Sequence, residues 1–297
     1  MHIPVLFKEL INVLNIKKNG IYVDCTFGAG GHSFGILSML GKNGKLFIID
    51  RDEKSIKLAK KKIKDERVFI INDTFSNIMH YVYKYNIFKK VNGIILDLGV
   101  SSDQLNNPKR GFSFMKNGPI DMRMNNKVGV SAKKWIKNAS LNNLENVIKY
   151  LGEEKHYKKI SKSIFNNFKK KKINTTIELS NIIKKATKKY KNKKKIHPAT
   201  KTFRAIRMYI NDELNELNKI LNNIKHILSK RGKILIITFN SLEARIIKNF
   251  IKESKINKTK NKYFFKVYKK IKPSRVETII NPRSRSAILR CIKKIKF

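Results

Sequence analysis

The stretch DCTFGAGGHS, residues 24–33, places three glycines within four positions, directly after an apolar run that ends at Asp24. A strand, a glycine-rich turn and then a helix are typical of the first βα unit of a nucleotide-binding sheet. A dinucleotide site would have the spacing G-x-G-x-x-G, but Ser33 stands where the last glycine is required. The stretch therefore predicts either a cofactor-binding turn or a simple tight corner.

Apolar runs and helix-like stretches alternate through the first hundred residues. The runs predict strands at Gly20–Cys25, Lys45–Asp50, Val68–Asn72 and Gly93–Leu98, and the stretches between them predict helices at His32–Leu40, Glu53–Ile63 and about Ser76–Tyr85. Because each strand is nearly all apolar, the pattern predicts an α/β fold with a parallel sheet covered on both faces.

The middle of the chain has a different pattern, which predicts an inserted domain. An irregular, Gly- and Asn-rich loop at Asn106–Met124 is followed only by helix-like segments, among them Leu141–Leu151 and Tyr157–Phe168, with lysine-rich breaks at Lys169–Lys172 and Lys188–Lys195. Alternation then resumes with a long helix at Thr202–Leu228, a strand at Lys233–Phe239, a helix at Leu242–Ile251 and strands at Tyr263–Lys269 and Ala287–Ile292. The predicted organisation is one α/β domain in two parts, residues 1–107 and 206–297, interrupted by an all-helical domain at 108–205.

Composition limits the function classes. The 297 residues include 67 Lys and Arg against 21 Asp and Glu, a formal charge of +46, which attracts polyanions such as nucleic acid. Codon drift toward lysine is an alternative source of part of this excess. Two cysteines without a neighbouring Cys or His cluster argue against a disulfide framework or a metal site. No signal peptide or membrane-spanning run is apparent, so we expect a soluble, cytoplasmic protein.

The carboxyl ends of the next three predicted strands carry side chains that suit a cofactor. Asp50 can accept hydrogen bonds from a ribose diol, whether of NAD or of S-adenosylmethionine, or it can cap a helix, a task for which Asp52 is equally well placed. Phe75 could lie against an adenine or belong to the core. Asp97, at the end of the fourth strand, lies at the crevice where open sheets bind ligands, and a methyl donor or an amine awaiting methylation could use its carboxylate.

Ten stretches along the chain, in order, carry a resemblance to a known family: H-I-P-V-L (2–6), D-C-T-F-G-A-G-G-H-S (24–33), I-D-R-D (49–52), L-D-L-G-V-S-S-D-Q-L (96–105), R-G-F-S-F (110–114), G-P-I-D-M-R-M (118–124), H-P-A-T-K-T-F-R-A-I-R (197–207), N-D-E-L (211–214), S-L-E-A-R-I (241–246) and N-P-R-S-R-S-A-I-L-R (281–290). Together they resemble the bacterial 16S rRNA N4-cytosine methyltransferases of the RsmH type. The combination is far more specific than a glycine turn alone.

The resemblance implies a class I, Rossmann-like S-adenosylmethionine-dependent methyltransferase sheet with an inserted all-helical domain that helps to hold the substrate. It implies methyl transfer to the exocyclic N4 amine of cytosine 1402 in the decoding centre of 16S rRNA, within the small ribosomal subunit. The cofactor-binding positions that it implies are Gly30, Gly31, His32, Asp50, Phe75, Asp97 and Gln104.

Substrate contacts are predicted from residue chemistry. Asp97 is our candidate catalytic residue, as the acceptor for the hydrogens of the cytosine amine. Phe112 and Phe114 could pack on a base that leaves its stack. The candidate phosphate contacts are arginines retained in a chain that otherwise prefers lysine, namely Arg110, Arg123, Arg204, Arg207, Arg283 and Arg285. The alternative is that some of them pair with Asp121, Asp212 or Glu213.

Three positions depart from the family pattern. Asp103 replaces a proline, and Asn240 and Ala244 replace a histidine and an aspartate; the change at Asn240 puts a catalytic role for that position in doubt. Two other functions therefore stay open: a non-catalytic RNA-binding or ribosome-assembly protein on the same fold, and a Rossmann dehydrogenase, against which Ser33 speaks.

Overall fold

The computed structural model of the chain describes residues 4–170, 173–187, 197–256 and 265–295. Its helices are α1 (Phe7–Leu14), α2 (Gly31–Leu37), α3 (Glu53–Lys62), α4 (Ile78–Lys84), α5 (Ser102–Asn106), α6 (Ala132–Asn138), α7 (Leu141–Asn146), α8 (Tyr157–Lys169), α9 (Thr176–Ala186), α10 (Thr200–Ile210), α11 (Glu213–Ile227), α12 (Ser241–Ile256) and α13 (Arg275–Ile280). Its strands are β1 (Ile21–Asp24), β2 (Lys45–Asp50), β3 (Val68–Asn72), β4 (Val91–Asp97), β5 (Leu228–Thr238), β6 (Phe265–Val267) and β7 (Ile288–Lys294).

Parts of some predicted features lie outside the described residues: 2–3 of the first family motif, 171–172 and 188–195 of the lysine-rich breaks, and 263–264 of a predicted strand. None of the described helices is long and apolar enough to cross a membrane.

The seven described strands form one sheet in the order β3-β2-β1-β4-β5-β7-β6. Strands β1 to β5 run parallel, whereas β7 pairs antiparallel with both β5 and β6. The chain order reverses between β1 and β4, so the carboxyl ends of these two strands form a topological switch point, where open sheets bind ligands. The predicted α/β sheet is confirmed, and the four strands predicted in the first hundred residues are observed to within two residues at each end.

Alternation of side chains along the strands explains why both faces of the sheet are covered. Val23, Phe47 and Leu96 belong to one buried apolar cluster, with residues of α4 and α11. Their neighbours Tyr22, Leu46 and Ile95 point into a second cluster, with residues of α1 and α2. Successive residues of a strand face opposite sides, so a strand that is apolar at every position must be buried on both.

The prediction of a single long helix at Thr202–Leu228 is wrong, because the structure has two helices there, α10 and α11. Asp212 lies between them in the left-handed region, at φ 50°. The Asn211 side chain stabilises this break: its Nδ2 donates to the Met122 carbonyl over 2.8 Å, and its Oδ1 accepts the Met124 N–H over 2.7 Å. The helical periodicity continues across the break, so the sequence pattern did not indicate it. Helices α1 and α13 were also not predicted.

The described chain forms two compact units, one of Met1–Gly99 with Leu214–Phe297 and one of Val100–Glu213. The second unit is helical and extends beyond the predicted limits of 108 and 205. Side chains on both flanks of those limits, including Leu105 and Ile210, pack against its own apolar core, which accounts for the difference.

Candidate active site

The glycine turn after β1 is held rigid by a buried carboxylate at its base. Asp24 accepts a hydrogen bond from the Ser33 hydroxyl over 2.6 Å and from the Thr26 N–H over 3.0 Å. Burial raises the pKa of Asp24. Ser33 is fully buried, so the residue that breaks the dinucleotide spacing has a structural task, which is to join the start of α2 to the end of β1.

The glycines of this turn are required by the protein's own packing. Gly30 has φ 90°, and a Cβ built on it would lie 2.6 Å from the Phe27 ring. A Cβ on Gly31 would lie 2.2 Å from Cγ of Pro4. Both distances are below any real Cβ contact, so a side chain at either position would displace its neighbours. Packing within the protein is thus enough to explain glycine at both positions, and the close approach of a cofactor to them stays a prediction.

His32 and Asp97 meet at the switch point with incomplete hydrogen bonding. His32 is buried on α2 and its ring stacks against Phe7, while its Nε2 lies 3.7 Å from Oδ2 of Asp97, beyond hydrogen-bond distance. Both imidazole nitrogens and Oδ1 of Asp97 are buried without a partner in the described part of the chain. The backbone N–H of Asp97 donates to the Thr26 hydroxyl over 2.7 Å, which fixes the end of β4.

The unpartnered atoms of His32 and Asp97 indicate whether the site suits a polar ligand. A buried polar group without a partner costs on the order of 1–3 kcal/mol, and native proteins leave few such groups in place. Here two of them converge at the carboxyl ends of β1 and β4, where the fold binds ligands. An imidazole and a carboxylate suit a molecule that carries both an ammonium and a carboxylate, as the methionine end of S-adenosylmethionine does. The residues present fit that cofactor.

Asp50 connects the tip of β2 to the glycine turn. Its carboxylate accepts the Gly28 N–H over 2.9 Å and the Asp52 N–H over 2.8 Å. Burial raises the pKa of Asp50 to about 6. Asp52 is the residue that caps α3, by accepting the Lys54 N–H over 3.0 Å. Asp52, and not Asp50, is therefore the residue that caps the helix. Ribose binding by Asp50 stays a prediction.

Phe75 begins a 3-10 turn after β3, where it is half-buried and packs against the core cluster beneath the sheet. The residues that fix this turn were missed by the sequence argument. Glu216 of α11 accepts hydrogen bonds from the hydroxyls of Thr74 and Ser76 and pairs with Arg51. Glu216 follows Thr74 by 142 positions in sequence, so no local pattern indicates that the two are in contact.

Gln104 lies in the helical unit and takes part in a capping box at the start of α5. Its Oε1 accepts the Ser101 N–H over 3.0 Å, and its own N–H donates to the Ser101 hydroxyl. Its role toward the cofactor stays a prediction of the family resemblance.

The aromatic and arginine residues of the R-G-F-S-F loop have structural contacts. Arg110 is buried and donates to the carbonyls of Arg123 and Met124, at 3.1 and 2.7 Å. Phe112 is buried in the core of the helical unit. Phe114 is half-buried, and its ring stacks on His197 with centroids 4.6 Å apart. Burial makes Arg110 and Phe112 part of the scaffold, and of the three only Phe114 is partly exposed.

Two further arginines form the ion pairs that were the alternative to phosphate contacts. Arg123 pairs with Asp121 and Arg207 with Glu213, each through two nitrogens. Arg204 donates to the Gly152 carbonyl over 2.9 Å. The remaining two candidates, Arg283 and Arg285, are exposed on a 3-10 turn of the α/β unit. Internal hydrogen bonds therefore engage the candidate arginines of the helical unit, and Arg283 and Arg285 are exposed.

The departures from the family pattern have local explanations. Asn240 caps α12, because its Oδ1 accepts the N–H groups of Leu242 and Glu243 at 3.0 and 3.1 Å, and Glu243 in turn accepts the Phe239 N–H. Asp103 is exposed in the first turn of α5, where a negative charge is favourable. Nothing in the structure explains Ala244.

The strand order, the antiparallel β7 and the polar switch point define the class of S-adenosylmethionine-dependent methyltransferases. A solved structure of a Clostridium thermocellum protein, provisionally described as an rRNA methylase, shares this fold with a TM-score of 0.50 and 15% identity, over 99% of this chain and 100% of that one.

The chain belongs to the MraW methylase family, whose model matches residues 1–295. It is 53% identical to a protein of Buchnera aphidicola subsp. Cinara cedri, over 97% of this chain and 98% of that protein. It is 52% identical to one of Wigglesworthia glossinidia brevipalpis over the full length of both. Both relatives are named ribosomal RNA small subunit methyltransferase H. The cofactor of the chain is S-adenosylmethionine, which removes the dehydrogenase alternative.

Proposed function

We propose that this methyltransferase acts on 16S rRNA within the small ribosomal subunit, at the exocyclic N4 amine of cytosine 1402. The names of the relatives support a small-subunit rRNA substrate. The observation that carries the chemistry is the Asp97 carboxylate, which ends β4 with one buried oxygen that has no partner among the described residues.

The amine of cytosine is a poor nucleophile because its lone pair is conjugated with the ring. S-adenosylmethionine, when bound, supplies an electrophilic methyl group on a sulfonium. The task of the protein is to orient the amine and to stabilise the positive charge that develops on it. In the proposed mechanism Asp97 accepts a hydrogen bond from the N4 amine, which localises the lone pair on nitrogen and favours later loss of the proton.

The surroundings of Asp97 support this role by holding it in place before a substrate arrives. The Thr26 hydroxyl fixes its backbone, and the Asp24–Ser33 hydrogen bond fixes the turn that carries Thr26. We assign Gly30, Gly31 and His32 to the methionine end of the cofactor. We assign Asp50 to the ribose and Phe75 to the adenine, and we keep Gln104 as a cofactor-binding residue.

RNA binding is supported by the formal charge of +46 and by the exposed Arg283 and Arg285. The exposed guanidinium of Arg285 can contact a phosphate, whereas Arg123 and Arg207 are engaged in internal ion pairs. Phe114 is the aromatic side chain of the proposed substrate loop that we assign to base stacking.

The test of catalysis is transfer of a labelled methyl group to small subunits from a strain that lacks the enzyme. We expect Asp97→Ala to lower kcat on the order of 100-fold, the loss typical of one removed stabilising group at a reacting centre. Asp97→Asn, which keeps a hydrogen-bond acceptor, should retain more activity. Full turnover by Asp97→Ala, with normal binding of S-adenosylhomocysteine, would exclude Asp97 from the reaction.

The test of the substrate is mass spectrometry of 16S rRNA from strains with and without the gene. We expect one N4-methyl group on cytosine 1402 that depends on the gene. Tight subunit binding with no transfer to any nucleotide would instead favour the non-catalytic RNA-binding alternative.

A further inference from the structure

A buried carboxylate joins two loops at the edge of the sheet that carries the proposed cofactor contacts. Glu216 lies on α11, and only 8% of its side chain is exposed. Its Oε1 accepts the Ser76 hydroxyl over 3.0 Å and lies 3.9 Å from Nζ of Lys219. Its Oε2 accepts the Thr74 hydroxyl and pairs with the Arg51 guanidinium over 3.0 Å. One carboxylate thus has four partners on three separate segments.

The two loops that Glu216 joins are those that carry proposed cofactor contacts. Arg51 directly follows Asp50 at the end of β2, and Thr74 directly precedes Phe75 after β3. Arg51 also donates to the Thr74 hydroxyl over 2.7 Å, so the two loops are bonded to each other as well as to α11. The spacing between the Asp50 carboxylate and the Phe75 ring therefore depends on this cluster.

Charge explains why a carboxylate is needed at this position. Arg51 lies in sequence between Asp50 and Asp52, and both of these carboxylates already accept backbone N–H groups in the turn and at the helix cap. A guanidinium in a partly buried position is costly without a counter-ion. Loss of the Glu216 ion pair would change the electrostatic environment of Asp50 and Asp52, the two carboxylates next to Arg51 in sequence, and Asp50 is the proposed ribose acceptor.

We propose that Glu216 is a positioning residue for the cofactor: it holds Arg51 and Thr74 so that Asp50 and Phe75 keep the spacing that an adenosine requires. It does not contact the reacting atoms. The inference rests on the proposed cofactor site and not on the identity of the RNA. It can therefore fail while the proposed substrate is correct, and the proposed substrate can be wrong while the inference holds.

The experiment compares Glu216→Gln with a control ion pair at the end of β3 opposite to Thr74. Glu216→Gln keeps the shape of the side chain and removes its charge. The control is Asp65→Asn, which weakens the ion pair of Asp65 with Arg67 at the amino end of β3, over 2.6 Å. For each folded variant the dissociation constant of S-adenosylhomocysteine is measured by calorimetry and the free energy of unfolding by urea titration.

We expect Glu216→Gln to weaken S-adenosylhomocysteine binding about tenfold, the size of coupling seen between groups of one hydrogen-bonded network. The KM for S-adenosylmethionine should rise by a similar factor, while kcat at saturating cofactor changes less than about threefold. Asp65→Asn should lower the free energy of unfolding without changing the dissociation constant. If both variants weaken binding in proportion to their loss of stability, or if neither does, Glu216 is only structural and the proposal is overturned.

A double-mutant cycle gives a second readout that a general loss of stability would not produce. If loss of the Arg51–Glu216 ion pair is what disturbs Asp50, Arg51→Met in the Glu216→Gln background should recover part of the lost affinity. Simple additivity of the two changes would contradict the proposal. Thr74→Val, a milder change that keeps the volume of the side chain, should weaken binding about threefold and covers the case in which Glu216→Gln does not fold.

Discussion

The switch point of the sheet and three arginines of the helical unit, Arg110, Arg123 and Arg207, differ in how their polar groups are bonded. At the switch point, His32 and Asp97 are buried with atoms that have no partner in the described part of the chain. In the helical unit, Arg110 donates to two backbone carbonyls, and Arg123 and Arg207 each form a two-nitrogen ion pair with a carboxylate.

The difference separates groups that build the fold from groups that await a ligand. Folding tends to satisfy every buried polar atom, because each one left without a partner costs free energy. Unsatisfied atoms that persist at a ligand-binding edge therefore indicate a binding partner outside the chain. Residue type suggested the arginines and the family resemblance suggested His32, whereas only the structure shows the internal bonds of Arg110, Arg123 and Arg207.

The strongest test of this contrast is Arg110→Met, which keeps the apolar stem of the side chain and removes the guanidinium. We expect the free energy of unfolding to fall by about 3 kcal/mol, because two part-buried hydrogen bonds from a buried guanidinium are lost. Arg285→Met is the matched control, since Arg285 is exposed, and should change stability by less than about 0.5 kcal/mol. Urea titration measures both, and equal effects would remove the distinction between the two kinds of arginine.

The second test uses pH. Burial raises the pKa of Asp50 from its ordinary value of 3.8 to about 6. In the free folded protein the protonated form therefore predominates only below about pH 6, and the stability that Asp50 contributes at low pH is lost as pH rises from about 3.8 through about 6. Ribose hydroxyls, by contrast, require the ionised acceptor. We therefore expect S-adenosylhomocysteine to bind about tenfold more weakly at about pH 5 than at about pH 7.

Asp50→Asn provides the control for that prediction, because it cannot ionise. Its dissociation constant for S-adenosylhomocysteine, measured by calorimetry, should be flat across the same pH range. A variant that keeps the full pH dependence of the parent protein would show that another group is responsible.

The third test concerns His32, where the expected effect on the fold is small. Because both ring nitrogens are buried without partners in the described residues, His32→Leu should change the free energy of unfolding by less than about 1 kcal/mol. The same change should weaken S-adenosylhomocysteine binding about fivefold, the value of one lost hydrogen bond. A large loss of stability with unchanged affinity would place His32 with the structural arginines instead.

Much of the fold could be predicted from local pattern. Strands β2 and β3 were predicted with their observed bounds, because buried parallel strands are apolar at every position and end at recognisable turns. The break between α10 and α11 could not, since the left-handed Asp212 is stabilised by Asn211 contacts to residues 87 and 89 positions away. The limits of the helical unit were also missed, because they depend on which core the flanking side chains join.

The sequence by itself determined the class of fold, the order of its elements and the residues at the strand ends that meet at one edge, because these follow from periodicity and from the geometry of parallel strands. Only the tertiary structure decided which polar groups have partners. Arg110, Arg123 and Arg207 form internal hydrogen bonds and ion pairs, and Glu216 contacts Arg51 and Thr74. Buried atoms of His32 and Asp97 have no hydrogen-bond partner among the described residues. Hydrogen bonds between distant segments depend on packing in three dimensions, and a linear pattern carries no record of them.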